Sequence, residues 1–353
     1  MVDKFTNDEK QIPLLHRKAL GRDPKTKRSE VPNQEIGKGS MKKFGKLAGV
    51  IAAIAVSAVV LSGCSAPADS GDKTVKIGAT FPVLDAFLQK VADGMQAEAD
   101  AQGAELTIVA ADNKVDTQLS QVENFISQGV DAILVVAVDT AAATPMTEAA
   151  QAADIPIVYV NRNPAQTGVP YVGSQSLVSG TLEMEQLALL AGGKGNVVIM
   201  QGELTNEAAL DRTKGCNDVV AKNPGMKVVK TAAADWDRAK GQALMENWLQ
   251  SGVDFSIVCA NNDEMALGAI NALKAAGKTL GAGGVLVGGV DATADALASL
   301  EAGELATTVF QDAAGQGGGG VKAAIDLVNG KTVADYVDVP YQLVTLDNIG
   351  DFK

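Results

Sequence analysis

The chain has 353 residues, of which 46% are hydrophobic, 20% charged and 4% aromatic, and this length suggests two core-bearing units. The mixture of apolar and charged residues excludes a disordered chain, and three cysteines in so long a chain exclude a disulfide scaffold. A formal charge of −12 disfavours a nucleic-acid-binding protein, because phosphate binding requires a basic surface.

The charge is unevenly distributed along the chain. Residues 1–46 contain 12 of the 30 Lys and Arg residues, whereas 36 acidic and 18 basic residues follow from Cys64 onward. The single histidine, His16, lies in the basic opening. Since no histidine follows Cys64, Ser-His and Cys-His nucleophile pairs and histidine metal sites are excluded from that part of the chain.

A bacterial export signal is indicated near the N-terminus. A lysine-bearing start over 41–46 is followed by an uninterrupted apolar run over 47–61, and residues 61–64 read Leu-Ser-Gly-Cys. A charged start, an apolar core and small residues at its end indicate a secretory signal peptide, and the last four residues resemble a lipobox, whose cysteine is lipidated. The sequence therefore predicts a signal peptide over 41–63, a lipid anchor on Cys64, and a location outside the cytoplasm, at the outer face of the cell membrane or in the periplasm. An uncleaved single-span anchor is the alternative.

The segments on either side of this signal are not expected to fold. Residues 1–40 lack hydrophobic periodicity and are rich in Lys, Arg, Asn and Pro, so they are interpreted as a disordered upstream tail or an extension of the gene model. Residues 64–73 are small and polar with one proline, which is typical of a flexible tether.

From Val75 onward short apolar runs alternate with segments of helical periodicity. The first unit is expected to contain strands over 75–80, 106–110, 132–137 and 157–160 and helices over 87–101, 117–128 and 144–153. The second is expected to contain strands over 196–200, 227–230, 255–259 and 285–288 and helices over 208–222, 236–250 and 264–276. Such repeats predict an α/β fold of two lobes, each a doubly wound parallel sheet with helices on both faces.

Polar or aromatic side chains follow most of the predicted strands. Ligands of open parallel sheets bind beyond the carboxyl ends of the strands, so these side chains are candidate site residues. They are Asp85, Phe87, Asn161, Arg162, Asn206, Arg212, Trp236, Asn262 and Asp291. Each also has a structural interpretation, since Asp and Asn commonly cap helices and an arginine can form a surface ion pair.

This combination of side chains fits a ring or chain that bears several hydroxyl groups. Carboxylates and amides exchange hydrogen bonds with vicinal hydroxyls, and an arginine reaches two of them at once. Flat aromatic faces cover the C–H faces of a sugar ring. The sequence contains no evident cluster of positive charge or glycine cradle for phosphate, so a neutral ligand is expected.

Five segments carry a resemblance to a known family. They are residues 234–241 (ADWDRAKG), 260–277 (ANNDEMALGAINALKAAG), 289–293 (GVDAT), 309–312 (VFQD) and 339–345 (VPYQLVT). With them, residues 74–353 resemble the periplasmic sugar-binding proteins of the ribose/galactose type, which feed ABC transporters. The resemblance implies the type I periplasmic binding protein fold, whose two lobes are joined by a three-segment hinge.

The resemblance also implies where the hinge and the lobe boundaries lie. The three crossings are expected near residues 172–174, 308–311 and 339–342. The N-terminal lobe is expected to comprise 74–174 with 312–338, and the C-terminal lobe 175–311 with 339–353.

Ten ligand contacts follow from the resemblance, matched residue by residue. Asp85 would accept from a hydroxyl, and Phe87 and Trp236 would stack on a ring. The full set is Asp85, Phe87, Asn161, Arg162, Asn206, Arg212, Trp236, Asn262, Asp291 and Gln311.

Two features depart from the galactose branch of this family. Asn206 and Ala208 stand where that branch has a histidine and an aspartate, which puts galactose and glucose in doubt. Residues 189–196 contain no carboxylate, so the calcium loop of that branch is absent. We therefore expect neither a metal ion nor a cofactor.

The expected protein is a non-enzymatic, monomeric, extracytoplasmic lipoprotein that delivers its ligand to an ABC transporter permease. Its ligand would be a neutral monosaccharide or polyol, such as a pentose, a hexose or an inositol-like molecule, held by hinge closure. Nucleic acid is not an expected partner.

Three other classes of protein are alternatives. The chain could be a sensory receptor for a sugar-like signal, or a carbohydrate-active enzyme using Asp85 and Asp291 as paired carboxylates. The effector domain of a repressor shares this fold by resemblance, but the export signal and the missing DNA-binding head argue against it.

Two further motifs are open to more than one interpretation. Residues 315–320 (GQGGGG) formally match a dinucleotide fingerprint and are interpreted as packing at a helix start. Cys216 and Cys259 are either small buried hydrophobes or a disulfide pair, because the sequence does not give their separation.

Overall fold

A computed structural model of the chain describes residues 74–353. The predicted upstream tail, signal peptide and tether, together with Cys64, lie outside the described residues. None of the helices within residues 74–353 combines the length and apolarity needed to span a membrane.

The first sheet is built from six strands. They are β1 (Lys76–Phe81), β2 (Glu105–Ala110), β3 (Ala132–Val135), β4 (Ile157–Val160), β5 (Tyr171–Gly173) and β11 (Tyr336–Asp338). All pairings are parallel, in the order β11-β5-β4-β3-β1-β2. The helices packed on this sheet are α1 (Ala86–Gln102), α2 (Val115–Gln128), α3 (Thr144–Ala152) and α9 (Ala313–Val328).

Helices cover both faces of this sheet. Successive strand residues point to opposite faces, so a strand covered on both sides is apolar throughout. In β3, Leu134 packs in a cluster with α1 and α9, whereas Ile133 and Val135 pack with α2 and α3. The continuous apolar run that predicted this strand thus reflects two separate cores.

The second sheet repeats this design with four parallel strands. They are β6 (Lys194–Gln201), β7 (Gly225–Ala233), β8 (Ile257–Ala260) and β9 (Leu286–Gly288), in the order β7-β6-β8-β9. One face packs against α4 (Ser176–Leu190) and α5 (Glu207–Lys222). The other face packs against α6 (Arg238–Gln250), α7 (Asp263–Ala275) and α8 (Ala294–Glu301). Both sheets are therefore doubly wound, and the predicted fold class is confirmed.

The chain passes between the two sheets at three places. It leaves the first sheet after β5, returns to it through α9 and β11, and leaves it again before the C-terminus. At the crossings, β10 (Thr308–Phe310) and β12 (Gln342–Val344) form an antiparallel pair that the sequence did not predict. The residue boundaries proposed for the two lobes stay a prediction.

Every strand and helix predicted from periodicity is present, with differences at the ends. The clearest correction concerns the helix expected from Trp236, which begins at Arg238. Asp237 is its N-cap and accepts from Lys240 N at 2.8 Å, while Trp236 adopts a left-handed backbone with φ of 64°. Helices α4 and α8 and the short strands β5 and β11 were not predicted, and of α9 only the start was.

A disulfide joins the two cysteines whose pairing the sequence leaves open. Cys216 on α5 and Cys259 in β8 are fully buried, and their Cα atoms are 6.9 Å apart. The bond therefore ties a helix to the strand beneath it.

The glycine-rich run of residues 315–320 lies in the first half of α9, where it packs closely on α1. A Cβ added to Gly317 would lie 2.0 Å from the carbonyl oxygen of Val91, and one added to Gly94 would lie 2.3 Å from that of Ala314. Side chains at these positions would separate the two helices. The interpretation of the run as helix packing is confirmed.

Two glycines of α9 provide a matched test of this packing. Gly317→Ala should lower the free energy of unfolding by about 2 kcal/mol, because the new methyl group meets backbone atoms that cannot yield. Gly318→Ala should be neutral or stabilising, since its Cβ would meet no atom nearer than 3.6 Å and alanine favours helix. Urea unfolding followed by circular dichroism measures both, and equal effects would contradict the packing argument.

Candidate functional site

A cleft with about 440 Å³ of empty volume lies at the carboxyl ends of the strands of both sheets. All ten residues predicted to form the site line this one cleft, and Leu88 and Ala208 complete its wall. The ten are Asp85, Phe87, Asn161, Arg162, Asn206, Arg212, Trp236, Asn262, Asp291 and Gln311. Their convergence is a property of the fold, whereas their contacts with a ligand stay a prediction.

The first helix presents Asp85 and Phe87 to the cleft. Asp85 is the N-cap of α1, and its Oδ1 accepts from the backbone N–H groups of Phe87 at 3.0 Å and Leu88 at 2.8 Å. The structural interpretation of Asp85 is therefore correct, and it is compatible with a place in the cleft. Its second oxygen has no partner among residues 74–353 and is available to a ligand.

Asn161 and Arg162 follow β4. Asn161 has a φ of 65°, and its Nδ2 donates to Gln316 Oε1 at 2.9 Å. Arg162 is buried, and one terminal nitrogen donates to the carbonyls of Ala137 at 3.0 Å and Val138 at 3.2 Å. Burial lowers the pKa of its guanidinium from the ordinary value, and its buried Nε has no partner in the described part of the chain.

Arg212 on α5 is the most heavily bonded side chain of the cleft. It donates to the carbonyl of Asn261 at 2.5 Å, to Gln311 Oε1 at 2.7 Å and to the hydroxyl of Tyr341 at 3.0 Å. Asp291 Oδ1 lies 3.9 Å from the guanidinium. The Nε of Arg212 is buried and unpartnered within residues 74–353, and Nη1 has one acceptor there, so two of the five N–H donors remain for a ligand.

Trp236 is held in the cleft by its backbone and by a glycine. Its left-handed φ of 64° directs the side chain away from the path of α6. A Cβ on Gly202 would lie 2.0 Å from the indole ring, so only glycine leaves room for the ring there. The guanidinium carbon of Arg212 lies 5.5 Å from the ring, and the buried Nε1 finds no acceptor among the described residues.

Two asparagines of the cleft are helix caps. Asn206 Oδ1 accepts from Ala208 N at 3.0 Å, which leaves its amide N–H groups unpartnered within the described chain. Asn262 Oδ1 accepts from Met265 N at 3.0 Å, while its Nδ2 donates to the carbonyl of Trp236 at 3.2 Å. One N–H of Asn262 thereby holds Trp236 in place, and the second N–H is left for a ligand.

Asp291 follows β9 with an unusual backbone. Its φ is 125°, and its side chain is almost completely buried. Burial raises the pKa of this carboxyl well above the ordinary value, the Arg212 guanidinium opposes that effect, and the carboxyl of Asp263 adds to it. Asp291 accepts no hydrogen bond from residues 74–353, so apart from its ion pair with Arg212 at 3.9 Å its oxygens are left for a ligand.

The cleft therefore offers both kinds of hydrogen-bonding group. Unpartnered acceptors are supplied by carboxylate and amide oxygens, and unpartnered donors by guanidinium, amide and indole nitrogens. The acceptors are on Asp85, Asp291 and Asn161, and the donors on Arg162, Arg212, Asn206, Asn262, Gln311 and Trp236. A hydroxyl group donates and accepts at once, so a polyhydroxylated molecule can satisfy this mixed set.

The described residues give little support to a metal centre. The one group of three potential metal-ligating side chains within residues 74–353 is Glu183 with Cys216 and Cys259. Both sulfurs are bonded to each other, so the group offers a single carboxylate. A metal ion needs several such donors.

Contacts across the cleft involve residues that the sequence did not single out. Arg162 lies 3.6 Å from Glu203 Oε2, and the backbone N–H of Asn163 donates to Glu207 Oε1 at 2.9 Å. Glu207 Oε2 is buried and unpartnered in the described chain, and burial raises the pKa of this carboxyl to about 7. The position of Glu207 at the first turn of α5 could have been read as helix-dipole stabilisation, but no local signal indicates its distant partner.

Tyr341 and Gln316 were also missed as neighbours of the site. Tyr341 meets Arg212 across 129 residues of sequence, and Gln316 meets Asn161 across 155. Tyr341 lies in a segment predicted as hinge, which was its one available signal.

Two parallel sheets with a polar cleft at their carboxyl ends define a type I periplasmic binding protein fold. The family described as periplasmic binding protein domain matches residues 77–332. A relative from Rhizobium meliloti, named as a rhizopine-binding protein, is 44% identical over 309 residues, covering 85% of this chain and 97% of that protein. A xylitol-binding protein of Mycolicibacterium smegmatis is 35% identical over 306 residues, covering 85% and 86%.

The solved structures agree with these relatives. An ABC transporter solute-binding protein from Bacillus halodurans, with bound myo-inositol, is 43% identical, with a TM-score of 0.76 over 79% of this chain and 97% of that one. The chain therefore belongs to the periplasmic binding protein family. Members of this family are extracytoplasmic, and the relatives found are solute-binding proteins.

The buried carboxyl of Glu207 predicts a pH dependence of stability. Its pKa is about 7 in the folded protein and near the ordinary 4.5 in the unfolded chain, so the folded state holds the extra proton between these values. The free energy of unfolding should therefore fall as the pH rises from about 4.5 to 7, by up to about 3 kcal/mol from this group.

Urea unfolding between pH 5 and 8 measures this contribution. Glu207→Gln should remove this contribution from the plot of the free energy of unfolding against pH. Glu123→Gln, a change at an exposed position on α2, should leave that plot unaltered. Arg162 and Asp211 also face Glu207. The contribution of Glu207 is therefore taken as the difference in the free energy of unfolding between the variant and the unaltered chain at each pH. Superimposable profiles for Glu207→Gln and the unaltered chain would show that Glu207 is ionised when folded.

Proposed function

We propose that this protein is the substrate-binding component of an ABC transporter and that it holds a neutral polyol or monosaccharide in the cleft. The observation that carries this proposal is the mixed set of unpartnered donors and acceptors contributed to one cleft from both sheets. Each vicinal hydroxyl of a polyol can donate to one of these groups and accept from another. Phe87 and Trp236 supply the apolar faces that a ring requires.

The charges of the cleft favour a neutral ligand. Two arginines and two aspartates line it, namely Arg162, Arg212, Asp85 and Asp291. An anion would meet the aspartates and a cation the arginines, and the two buried arginines already have carboxylates nearby, Glu203 at 3.6 Å from Arg162 and Asp291 at 3.9 Å from Arg212. A neutral molecule bonds to all four without disturbing that balance.

The relatives narrow the choice among neutral ligands. The rhizopine-binding and xylitol-binding relatives and the structure with bound myo-inositol favour a cyclitol or a linear polyol. Asn206 and Ala208 provide no carboxylate at the place where the galactose branch has an acid, which counts against galactose and glucose. Myo-inositol and xylitol are therefore the first probes.

Binding is proposed to proceed by closure of the two lobes around the ligand. Because cleft residues come from both sheets, a ligand that bridges them stabilises the closed arrangement more than the open one. The closed monomer would then dock on a membrane permease. The cap role of Asp85 disfavours the alternative enzyme, since one oxygen of that carboxylate is already committed to the helix.

Attachment to the membrane is proposed to occur through lipid on Cys64, because residues 61–64 match a lipobox after an apolar run. In a bacterial host, the unaltered chain should fractionate with membranes, and Cys64→Ser should release the folded protein into the soluble extracytoplasmic fraction. Immunoblots of the fractions measure this, with Ser70→Ala, a small change within the predicted tether, as the control. An unaltered distribution for Cys64→Ser would contradict the anchor.

Ligand binding is tested on the purified protein by a thermal-shift screen followed by calorimetry. Myo-inositol, xylitol, D-ribose and D-galactose are the probes, and a ligand that binds the folded state raises the unfolding temperature. Failure of every polyol and sugar to bind at millimolar concentration, or catalytic turnover of one, would refute the proposal.

Two substitutions test the cleft itself. Trp236→Ala and Asp291→Ala should each weaken binding of the recognised probe by about tenfold or more, because each removes a buried contact. Asp237→Ala is the matched control, since it removes the cap of α6 beside Trp236 but no cleft side chain. Unchanged affinity in both cleft variants would refute the assignment of the site.

A further inference from the structure

One nitrogen of Arg212 contacts two separate connections between the sheets. The same terminal nitrogen donates to Gln311 Oε1 at 2.7 Å and to the hydroxyl of Tyr341 at 3.0 Å. Gln311 directly follows β10 and Tyr341 directly precedes β12, and these two strands pair with each other. The other terminal nitrogen is bonded to the carbonyl of Asn261, at the end of β8. We call β10 and β12 the hinge strands, because they lie at the chain crossings. A single guanidinium is thus bonded to the second sheet and to the residues directly beside both hinge strands.

Two aromatic rings lie beside this guanidinium, one from the cleft and one from the chain crossings. Its carbon lies 5.5 Å from the ring of Trp236, which lines the cleft, and 5.8 Å from the ring of Tyr341, which does not. Tyr341 is 9% exposed and packs with Val290 and Val309 in a small cluster at the crossings. Arg212 therefore connects a side chain of the cleft to a side chain of the hinge.

Among residues 74–353 the Nε–H of Arg212 has no acceptor and Nη1 has a single hydrogen-bond acceptor, so the direction of the donors left for a ligand depends on how the rest of the planar group is held. An arginine side chain has many rotamers, and a ligand that had to immobilise it would bind more weakly. The hydrogen bond from the terminal nitrogen to the Tyr341 hydroxyl restricts that freedom before the ligand arrives. The same bond makes the position of the guanidinium depend on the position of β12.

From this geometry we infer that Tyr341 is a positioning residue, which couples occupancy of the cleft to the hinge through Arg212. The inference rests on the proposed function. Coupling of this kind is reciprocal: a hinge that orients the arginine favours binding, and a ligand bound to the arginine favours that arrangement of the hinge. Tyr341 itself does not contact the ligand in this scheme.

The hydrogen bond between Arg212 and Tyr341 can be removed without removing the tyrosine ring. Tyr341→Phe keeps the packing with Val290 and Val309 and deletes only the hydroxyl, so the variant should fold. Tyr336→Phe is the matched control. Tyr336 lies in β11 beside the same crossings, where its hydroxyl bonds to Asp338 and its ring stacks on Tyr171 with centroids 5.6 Å apart.

The first measurement needs no ligand. The side-chain Nε–H signal of Arg212 is assigned in the purified full chain by its loss in Arg212→Lys, and its ¹⁵N relaxation reports mobility. We expect an order parameter of about 0.85, as in rigid backbone, for the unaltered chain and for Tyr336→Phe, and a value below about 0.6 for Tyr341→Phe. An equally rigid signal in Tyr341→Phe would overturn the inference.

The second measurement is binding of myo-inositol, xylitol or D-ribose, whichever the unaltered protein recognises. Tyr341→Phe should raise the dissociation constant about tenfold, mainly through faster dissociation, and Tyr336→Phe should change it less than twofold. An effect below twofold for Tyr341→Phe, or equal effects for both variants, would overturn the inference. If the unaltered protein binds none of these probes, the proposed function fails. The relaxation data then decide by themselves whether Tyr341 immobilises Arg212.

Discussion

A guanidinium that is removed from water must be matched by acceptors, and at Arg212 this requirement organises the cleft. Its terminal nitrogens are taken up by the carbonyl of Asn261, by Gln311 and by Tyr341, with the carboxyl of Asp291 beside them. Because these acceptors lie at the end of β8 and directly beside β10 and β12, one buried charge joins the second sheet to the chain crossings. If the cleft binds a ligand as proposed, binding and the geometry of the crossings are coupled through this one side chain.

At the same edge of each sheet, side chains that cap helices also line the cleft. Asp85, Asn206 and Asn262 cap α1, α5 and α7, the helices that follow three of the parallel strands, and all three line the cleft. A cap lies where a strand has just ended, which is also where the cleft opens. The two positions therefore coincide, and each capping side chain keeps a polar atom or N–H that the cap does not use.

Apolar runs and helical spacing were sufficient to predict the two α/β units, because both sheets are covered on both faces and central strands such as β3, β4 and β8 are apolar throughout. The candidate site was predictable for the same reason, since parallel strands bring their carboxyl ends together. The full length of helix α9 escaped prediction because its glycines disfavour helix, and close contact with α1 overrides that preference. Tyr341 and Glu207 escaped because their partners, Arg212 and Asn163, are distant in sequence, and no local pattern encodes such a pair.

Three cleft residues, Asn161, Trp236 and Asp291, have φ values of 65°, 64° and 125°. L-residues seldom adopt this region, and asparagine, aspartate and glycine tolerate it best. At these positions the backbone conformation restricts which substitutions are tolerated, and β-branched residues are the least acceptable. Changes in ligand preference are therefore most accessible at Phe87, Asn206 and Gln311, where the main chain imposes no such restriction.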